Sequence, residues 1–234
     1  MRKIVLISIS SLIFMTGCFR TANGVSPRFW KNRAVHIGVG IRVLPPHIDV
    51  NRKDLYREML LHNDFPTFTE NEKYIIQKFV IEEFNDVVSD FVRELNRCGF
   101  QAKKISDFVI PKSERKTEVD LTSIANEAKV DILILFNVHS LGILNHYDRK
   151  NNLIQSSAKL GVYGYMSEMK NGKMKAGFFK QHLWTMFFSE ENGTIPIEGD
   201  WRQPPDYPKL KSALKEAITK AKVFFIEDFF KREE

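Results

Sequence analysis

The chain has 234 residues, of which 43% are hydrophobic and 27% are charged, and its formal net charge is +6. This composition excludes an intrinsically disordered chain, which combines few apolar residues with a high net charge. With two cysteines, a small disulfide scaffold is excluded as well. The length is that of about one domain and is sufficient to bury a core without covalent staples.

The N-terminus joins a basic start to a short apolar segment. Arg2 and Lys3 precede residues 4–15, which are apolar except for serines. A permanent transmembrane helix needs about 20 apolar residues, so this segment is typical of a secretory leader. An uncleaved anchor is the alternative interpretation.

The residues at the end of this segment resemble the bacterial lipobox, in which an apolar residue and two small ones precede a cysteine. They are Met15, Thr16, Gly17 and Cys18. The resemblance implies cleavage before Cys18, a diacylated thiol and usually an acylated amine, so that two or three acyl chains hold the protein in a bilayer. Phe19, rather than aspartate, implies export to the outer membrane. A chance cysteine after an ordinary leader is the alternative.

These features divide the chain into a leader (1–17), a lipidated tether (18–33) and a single α/β domain (34–234). Without the leader, 33 basic and 29 acidic residues remain, a charge of +4 that gives no indication of nucleic-acid binding. Cys98 is then the second thiol. We interpret it as a small buried hydrophobe, with an intermolecular disulfide or a reactive thiol as alternatives.

The first part of the domain contains one clear strand. Apolar residues alternate over 35–43 and predict a strand, which Pro45 and Pro46 end because proline cannot donate to a sheet. Residues 47–68 are predicted to be a long connection with a short helix over 53–61.

A long amphipathic helix follows. Thr69 and Glu72 form a capping box, apolar residues recur at spacings of three and four, and Gly99 marks the end. Behind it the pattern predicts a short strand over 100–105 and a second helix over 118–129.

The C-terminal half predicts further strands and one helix. The apolar run 130–136, extending to about 144, is typical of a central strand covered on both faces. Residues 153–167 alternate, and Asn171-Gly172 is a type I′ turn signal that joins them to a returning strand over 173–188. A proline-rich loop over 189–208 precedes the last helix, 209–231.

The predicted order is therefore β-α-β-α-β-β-β-α. Helices between the first three strands indicate right-handed crossovers and parallel pairing, and the later hairpin adds antiparallel strands. The fold class is α/β, with a single mixed sheet and helices packed on it.

At this point the order of motifs resembles a group of envelope lipoproteins: the curli-secretion lipoprotein, the GNA1162-like lipoproteins and the N-terminal domain of the Tol–Pal periplasmic protein. The matching elements are Val43-Leu44-Pro45-Pro46 at a strand end, Val130-Asp131 opening an apolar strand, and Lys170-Asn171-Gly172-Lys173 at the hairpin. Val130 stands where the group has alanine, and Glu168 is the nearest match to its aspartate before the turn. The resemblance implies a non-catalytic role in envelope assembly or secretion, often as an oligomer.

Motifs that suggest catalysis are weak. Gly38 and Gly40 lie within a strand rather than between a strand and a helix, so close sheet packing explains them better than a dinucleotide site. Ser156 and Lys159 have the spacing of a serine acyl-enzyme, but residues three apart on a strand face opposite sides.

The histidines form no i, i+4 pair and no metal-ligand cluster. They are His36, His47, His62, His139, His146 and His182. His47 with Asp49 is the pair most compatible with a site, because loops carry functional residues. We expect no metal and no cofactor.

The returning strand has aromatic residues on both faces. They are Phe178, Phe179, Trp184, Phe187 and Phe188. Burial beneath helices is the favoured interpretation, and contact with a partner or membrane is the alternative. The sequence thus predicts a periplasm-facing, outer-membrane lipoprotein that binds other envelope proteins, with a possible homo-oligomer and no nucleic acid as partner. An envelope hydrolase and a secretion-channel subunit remain alternatives.

Overall fold

The structure is a computed structural model, and it describes residues 27–43, 48–54, 59–62, 68–105, 108–109, 121–148, 150, 152–175, 185–188, 193–202 and 207–230. For residues 27–28, 42–43, 48–54, 59–62, 108–109, 175 and 185–187 it describes only the backbone.

Four helices and ten strands make up the described residues. The helices are α1 (Pro27–Lys31), α2 (Glu70–Arg97), α3 (Leu121–Ala128) and α4 (Pro208–Phe230). The strands are β1 (His36–Val43), β2 (Ile48–Asp54), β3 (Met59–His62), β4 (Gln101–Lys104), β5 (Phe108–Val109), β6 (Ile132–Tyr147), β7 (Leu153–Lys170), β8 (Lys173–Lys175), β9 (Thr185–Phe188) and β10 (Thr194–Ile197).

All ten strands belong to one curled, mixed sheet. β1 lies between β4 and β6 and is parallel to both, as the helical connections predicted. β6 then pairs antiparallel with β7 from Ile132 opposite Glu168 to Tyr147 opposite Leu153. The other edge of β7 pairs in turn with β10, β9 and β8. The predicted fold class, a mixed sheet with helices packed on it, is confirmed.

The connection after β1 differs from the prediction. β1 ends at Val43, as the prolines indicated, but β2 continues along the same neighbour, with Ile48 opposite Leu141 and Asp54 opposite Tyr147 on β6. β3 then pairs antiparallel with β2. The predicted helix over 53–61 is therefore wrong, because the unpaired half of β6 offers this polar segment a strand partner.

Most of the core lies between one face of the sheet and the two long helices. α2 contributes Ile76, Phe84 and Phe91, all fully buried, and α4 contributes Leu214 and Phe225. They pack on the inward residues of the central strands, among them Ile37, Ile134 and Phe136. Since β6 is buried on both faces over its first seven residues, it is the central strand that its apolar run predicted.

A smaller cluster on the opposite face explains two glycines. Ile105 and Leu133 pack there with Ala125 of α3. A Cβ atom on Gly38 would lie 2.8 Å from Cγ2 of Ile105, and one on Gly40 would lie 2.6 Å from its Cγ1. The interpretation of Gly38 and Gly40 as residues under close packing is therefore confirmed.

The long helix α2 begins and ends where the sequence indicated. Both halves of the capping box form: the Glu72 carboxylate accepts from the backbone N–H of Thr69 at 2.6 Å, and the Thr69 hydroxyl accepts from the backbone of Glu72 at 3.4 Å. Gly99 follows the helix with a φ of 85°, a left-handed conformation that glycine adopts without strain.

α2 and α4 lie side by side and run in the same direction, since the residues that join them advance together along both helices. Glu83 pairs with Lys215 at 3.1 Å, and seven residues later on both helices, about two turns, Asp90 pairs with Lys222. The hydrogen bond from the Lys222 ammonium lowers the pKa of Asp90 against the opposing effect of burial.

The C-terminal strands also differ in part from the prediction. The turn at Asn171-Gly172 is confirmed, with φ of 53° and 72° at its two residues. β8 and β9 both pair with β7 as parts of the returning strand, while residues 176–184 lie outside the described residues. The predicted loop 189–208 contains the strand β10. Pro196 is compatible with this strand because β10 lies at the end of the sheet order, where a missing N–H is tolerated.

Candidate functional site

The predicted lipidation site lies outside the described residues. Met15, Thr16, Gly17 and Cys18 all precede Pro27, where the description begins. Eight residues lie between Cys18 and Pro27, so nine Cα–Cα steps join them, and an extended chain covers at most about 3.5 Å per step. Any lipid on Cys18 is therefore held within roughly 30 Å of α1.

Aromatic contacts hold α1 to the rest of the domain, which the sequence did not lead us to expect. The predicted tether ran to residue 33, but Phe29 of α1 is only 8% exposed. Its ring stacks on Phe100 at 4.6 Å and meets Phe229 edge-on at 5.8 Å. Trp30 lies 5.8 Å from Phe229. Residues 27–31 are thus part of the folded domain, and the aromatic pair in an otherwise polar segment was the available signal.

Arg33 completes this junction. Its guanidinium lies over the ring of Phe100 at 4.3 Å and 5.7 Å from the centre of the Trp30 ring, a cation–π geometry. The segment that leads into β1 is therefore held to the domain by ring stacking and by a charged side chain.

The junction defines one end of the molecule, which we call the junction end. α2, α3 and α4 finish there, at Arg97, Ala128 and Phe230, and β1 and β6 begin there. The β6–β7 turn at Asp148 lies at the opposite end. There the carboxylate of Asp148 accepts from the side-chain amide of Asn152 at 2.9 Å and from the backbone N–H groups of Asn152 and Lys150, both at 2.8 Å. The bond from the Asn152 side chain is the main cause of the lowered pKa of Asp148, and the backbone bonds add to it.

The Ser156–Lys159 pair cannot act as a serine acyl-enzyme. The hydroxyl of Ser156 donates to Oδ1 of Asn145 at 2.7 Å on the helix-covered face, as expected for cross-strand partners. Lys159, three residues further along β7, is opposite Gly142. Residues three apart on a strand face opposite sides, so Lys159 projects from the other face. The prediction that the two residues face opposite sides is confirmed.

Among the described residues, buried polar side-chain atoms without a hydrogen-bond partner lie at the centre of the sheet, on the face away from α2 and α4. Asn137 is fully buried opposite Tyr163, and among the described residues both of its amide atoms lack a partner, as do the hydroxyls of Ser140 and Ser167. Such atoms cost free energy unless water or a bound molecule satisfies them. No sequence pattern pointed to this polar row.

His139 belongs to the same face. Val138 pairs with Val162 and Ser140 with Gly161, so His139 is the extra residue of a β-bulge. A Cβ on Gly161 would lie 2.7 Å from the His139 ring, which shows that the imidazole covers this glycine.

The other histidines form no shared site in the part of the chain that is described. His36 is exposed and its Nδ1 lies 3.3 Å from the Asp131 carboxylate. His47 and His182 lie outside the described residues, and for His62 and Asp49 only the backbone is described. No three His, Cys, Asp or Glu side chains within the described ranges lie close enough together to hold a metal ion.

Cys98 caps the C-terminus of α2 as a free, half-buried thiol packed against the core. Of the aromatic residues in the returning strand, Phe188 is 2% exposed and lies 5.8 Å from the ring of Phe224. Its burial follows the favoured interpretation, whereas the side chains of the other four fall outside the description.

An open groove runs along the outer side of α4. Its volume is about 580 Å³ and its walls are formed by α4, β9 and β10. Its apolar lining consists of Phe188, Phe224 and Val223, and Val223 is 48% exposed. Lys220 and Glu227 also line the groove, so charged side chains lie beside the apolar ones.

Comparisons with known proteins show distant structural similarity to several solved structures. No helix among the described residues is long and apolar enough to cross a membrane. No family model matches the chain, and no curated protein is significantly similar to it.

Three solved structures illustrate the likeness. A DUF330-family protein from Xanthomonas campestris is 10% identical, covers 82% of this chain and 81% of its own, and has a TM-score of 0.36. A neuraminyllactose-binding hemagglutinin homolog from Helicobacter pylori is 15% identical over 85% and 88%, with a TM-score of 0.35. Lipoprotein GNA1162 from Neisseria meningitidis is 12% identical over 80% and 97%, with a TM-score of 0.27. Likenesses of this size carry no conclusion about function.

Proposed function

We propose that the chain is a lipoprotein of the bacterial cell envelope, anchored through acylated Cys18, whose domain works by binding other proteins rather than by catalysis. The observation that carries the proposal is the lipobox-like Met15-Thr16-Gly17-Cys18 at the end of a leader too short to be a permanent span. The anchoring membrane is the outer membrane, and the domain faces the periplasm.

The contacts of the polar candidates support a non-catalytic role. Ser156 is bonded to Asn145 on one face of the sheet while Lys159 lies on the other. His36 is occupied by its contact with Asp131 on the surface. The sequence-derived candidates whose side chains are described thus make structural contacts and do not converge on a reacting centre.

The groove along α4 supports a binding role. Its exposed Val223 and half-buried Phe224 offer apolar area, which drives protein association when it is removed from water. A photoreactive residue at Val223, compared with one at Tyr74 on α2, which is also exposed, tests this surface in intact cells. We expect a discrete crosslinked species from position 223 alone; the same products from both positions would contradict it.

The two cysteines provide a matched test of the anchor. Cys18→Ser removes the acylation site, whereas Cys98→Ser removes the thiol at the end of α2 and leaves the lipobox intact. We expect labelled palmitate to enter the wild type and Cys98→Ser but not Cys18→Ser, and only Cys18→Ser to leave the membrane fraction. Label in Cys18→Ser would contradict the proposal.

A further inference from the structure

The site at which the N-terminal segment joins the domain restricts how the molecule can stand on a membrane. We propose that the junction end faces the bilayer and that its exposed lysines contact lipid phosphates, while the β6–β7 turn points away. This inference rests on the proposed lipid attachment at Cys18.

The first step is the reach of the N-terminal segment. Because α1 is fixed to the domain by Phe29, only the eight residues 19–26 lie between Cys18 and the first residue of α1. That stretch covers at most about 30 Å. β7 alone has 18 residues and so extends over roughly 55 Å at about 3.3 Å per residue. The junction end is therefore always near the bilayer, and the β6–β7 turn need not be.

The second step is the chemistry of the junction end. Lys31, Lys129 and Lys173 are exposed there, at the end of α1, before β6 and at the start of β8. Flexible lysine side chains place an ammonium against phosphate oxygens, as a point charge rather than in a fixed geometry.

Three carboxylates at the same end lie close to basic side chains. Asp131 lies 3.3 Å from His36, and Glu168 lies 3.0 Å from Lys170. Glu94 accepts from Arg97 at 2.9 Å. These pairs reduce the repulsion that lipid phosphates would otherwise meet.

The third step concerns the alternative orientation, in which the surface formed by α2 and α4 faces the bilayer. α2 and α4 together carry ten acidic and nine basic residues, and Glu83 and Asp90 already bind the lysines of α4 that lie between the helices. This surface has no excess of positive charge for phosphates, so the upright arrangement is favoured.

Two lysines at opposite ends of β7 provide the test. In a Cys98→Ser background, Lys173→Cys and Lys150→Cys each give a single free thiol for a fluorescent donor, because Cys18 is acylated. The full-length lipoprotein is reconstituted in vesicles that carry an acceptor on the lipid headgroup. We expect severalfold more energy transfer from position 173 than from position 150, since the sites are separated by roughly 55 Å along the strand.

The lysines are then tested in both reporter backgrounds. Lys31→Glu combined with Lys129→Glu is expected to reduce the difference between the two sites, whereas Lys78→Glu combined with Lys209→Glu, near the helix N-termini, is not. Equal transfer from the two sites, or more transfer from position 150, would overturn the orientation. A chain that does not enter the vesicles at all would instead contradict the lipid anchor.

Discussion

Tyr207 shows how single residues hold the two long helices together. Its backbone has a φ of 47°, a left-handed conformation that is unfavourable for a bulky side chain. The ring compensates by packing edge-on against Phe68 at 5.6 Å, and its hydroxyl donates to the carboxylate of Glu72 in the α2 capping box. Burial and this bond raise the pKa of Tyr207 to about 12, and the bond is the main cause of the lowered pKa of Glu72.

The first prediction concerns Tyr207→Phe, which keeps the ring and removes the hydroxyl. We expect a loss of about 1.5–3 kcal/mol in the free energy of unfolding at neutral pH, the range typical of a hydrogen bond to a charged group. Because the pKa of Glu72 is depressed, its contribution is present above its ordinary value of 4.5 and is lost at lower pH. Because the pKa of Tyr207 is raised, its contribution is lost between pH 10 and about 12.

Urea unfolding across this pH range measures the difference between wild type and variant. The difference in the free energy of unfolding should be constant near neutral pH and should become smaller at both acid and alkaline pH. Tyr74→Phe, at a tyrosine that is 62% exposed, is the control and should show no such difference. A pH-independent loss in Tyr207→Phe would contradict the account of this bond.

The second prediction concerns Gly40. Gly40→Ala should destabilise the domain by about 1–3 kcal/mol, because overpacking forces neighbouring side chains out of place, here the Cγ1 atom of Ile105 at 2.6 Å. Ile105→Ala removes the contacting Cγ1 atom. In a double-mutant cycle measured by thermal unfolding, the pair should cost less than the sum of the single changes; strict additivity would rule out the contact.

At the scale of elements, α1 carries the strongest structural prediction. Phe29→Ala should cost about 3 kcal/mol, as for other buried phenylalanines, since its ring is held between Phe100 and Phe229. Tyr74→Ala, on the exposed face of α2, should change the free energy of unfolding by less than about 0.5 kcal/mol. If Phe29→Ala were equally silent in chemical denaturation, residues 27–31 would belong to the tether after all.

The elements also show which part of the fold local sequence determines. α2 was predictable because its capping box, apolar period and Gly99 stop all lie within the helix itself. β2 was not, since the segment from Ile48 to Asp54 becomes a strand only by pairing with the second half of β6, some ninety residues later. β10 is similar: Pro196 favours a loop locally, and the free edge of β7 makes it a strand.

The candidate functional surfaces also differ in whether local sequence predicts them. The lipobox-like motif is contiguous and is therefore visible in the sequence alone. The groove along α4 is not, because Phe188, Thr194 and Val223 come together only when β9 and β10 pack beside the last helix. The buried row around Asn137 depends on the register of β6 against β7, which the β-bulge at His139 resets.

For the whole molecule, the account combines a short lipid tether, a domain fixed to it at one end and a binding groove on its side. In this proposal the tether and the placement of the domain beside a membrane both depend on the modification of Cys18.

The most direct test of that claim is the mass of the N-terminal peptide of the protein purified from its native membrane. The account predicts a peptide that begins at Cys18 and carries a diacylglycerol on sulfur, usually with a further acyl chain on the amine. A peptide that begins at Met1, or an unmodified Cys18, would contradict it.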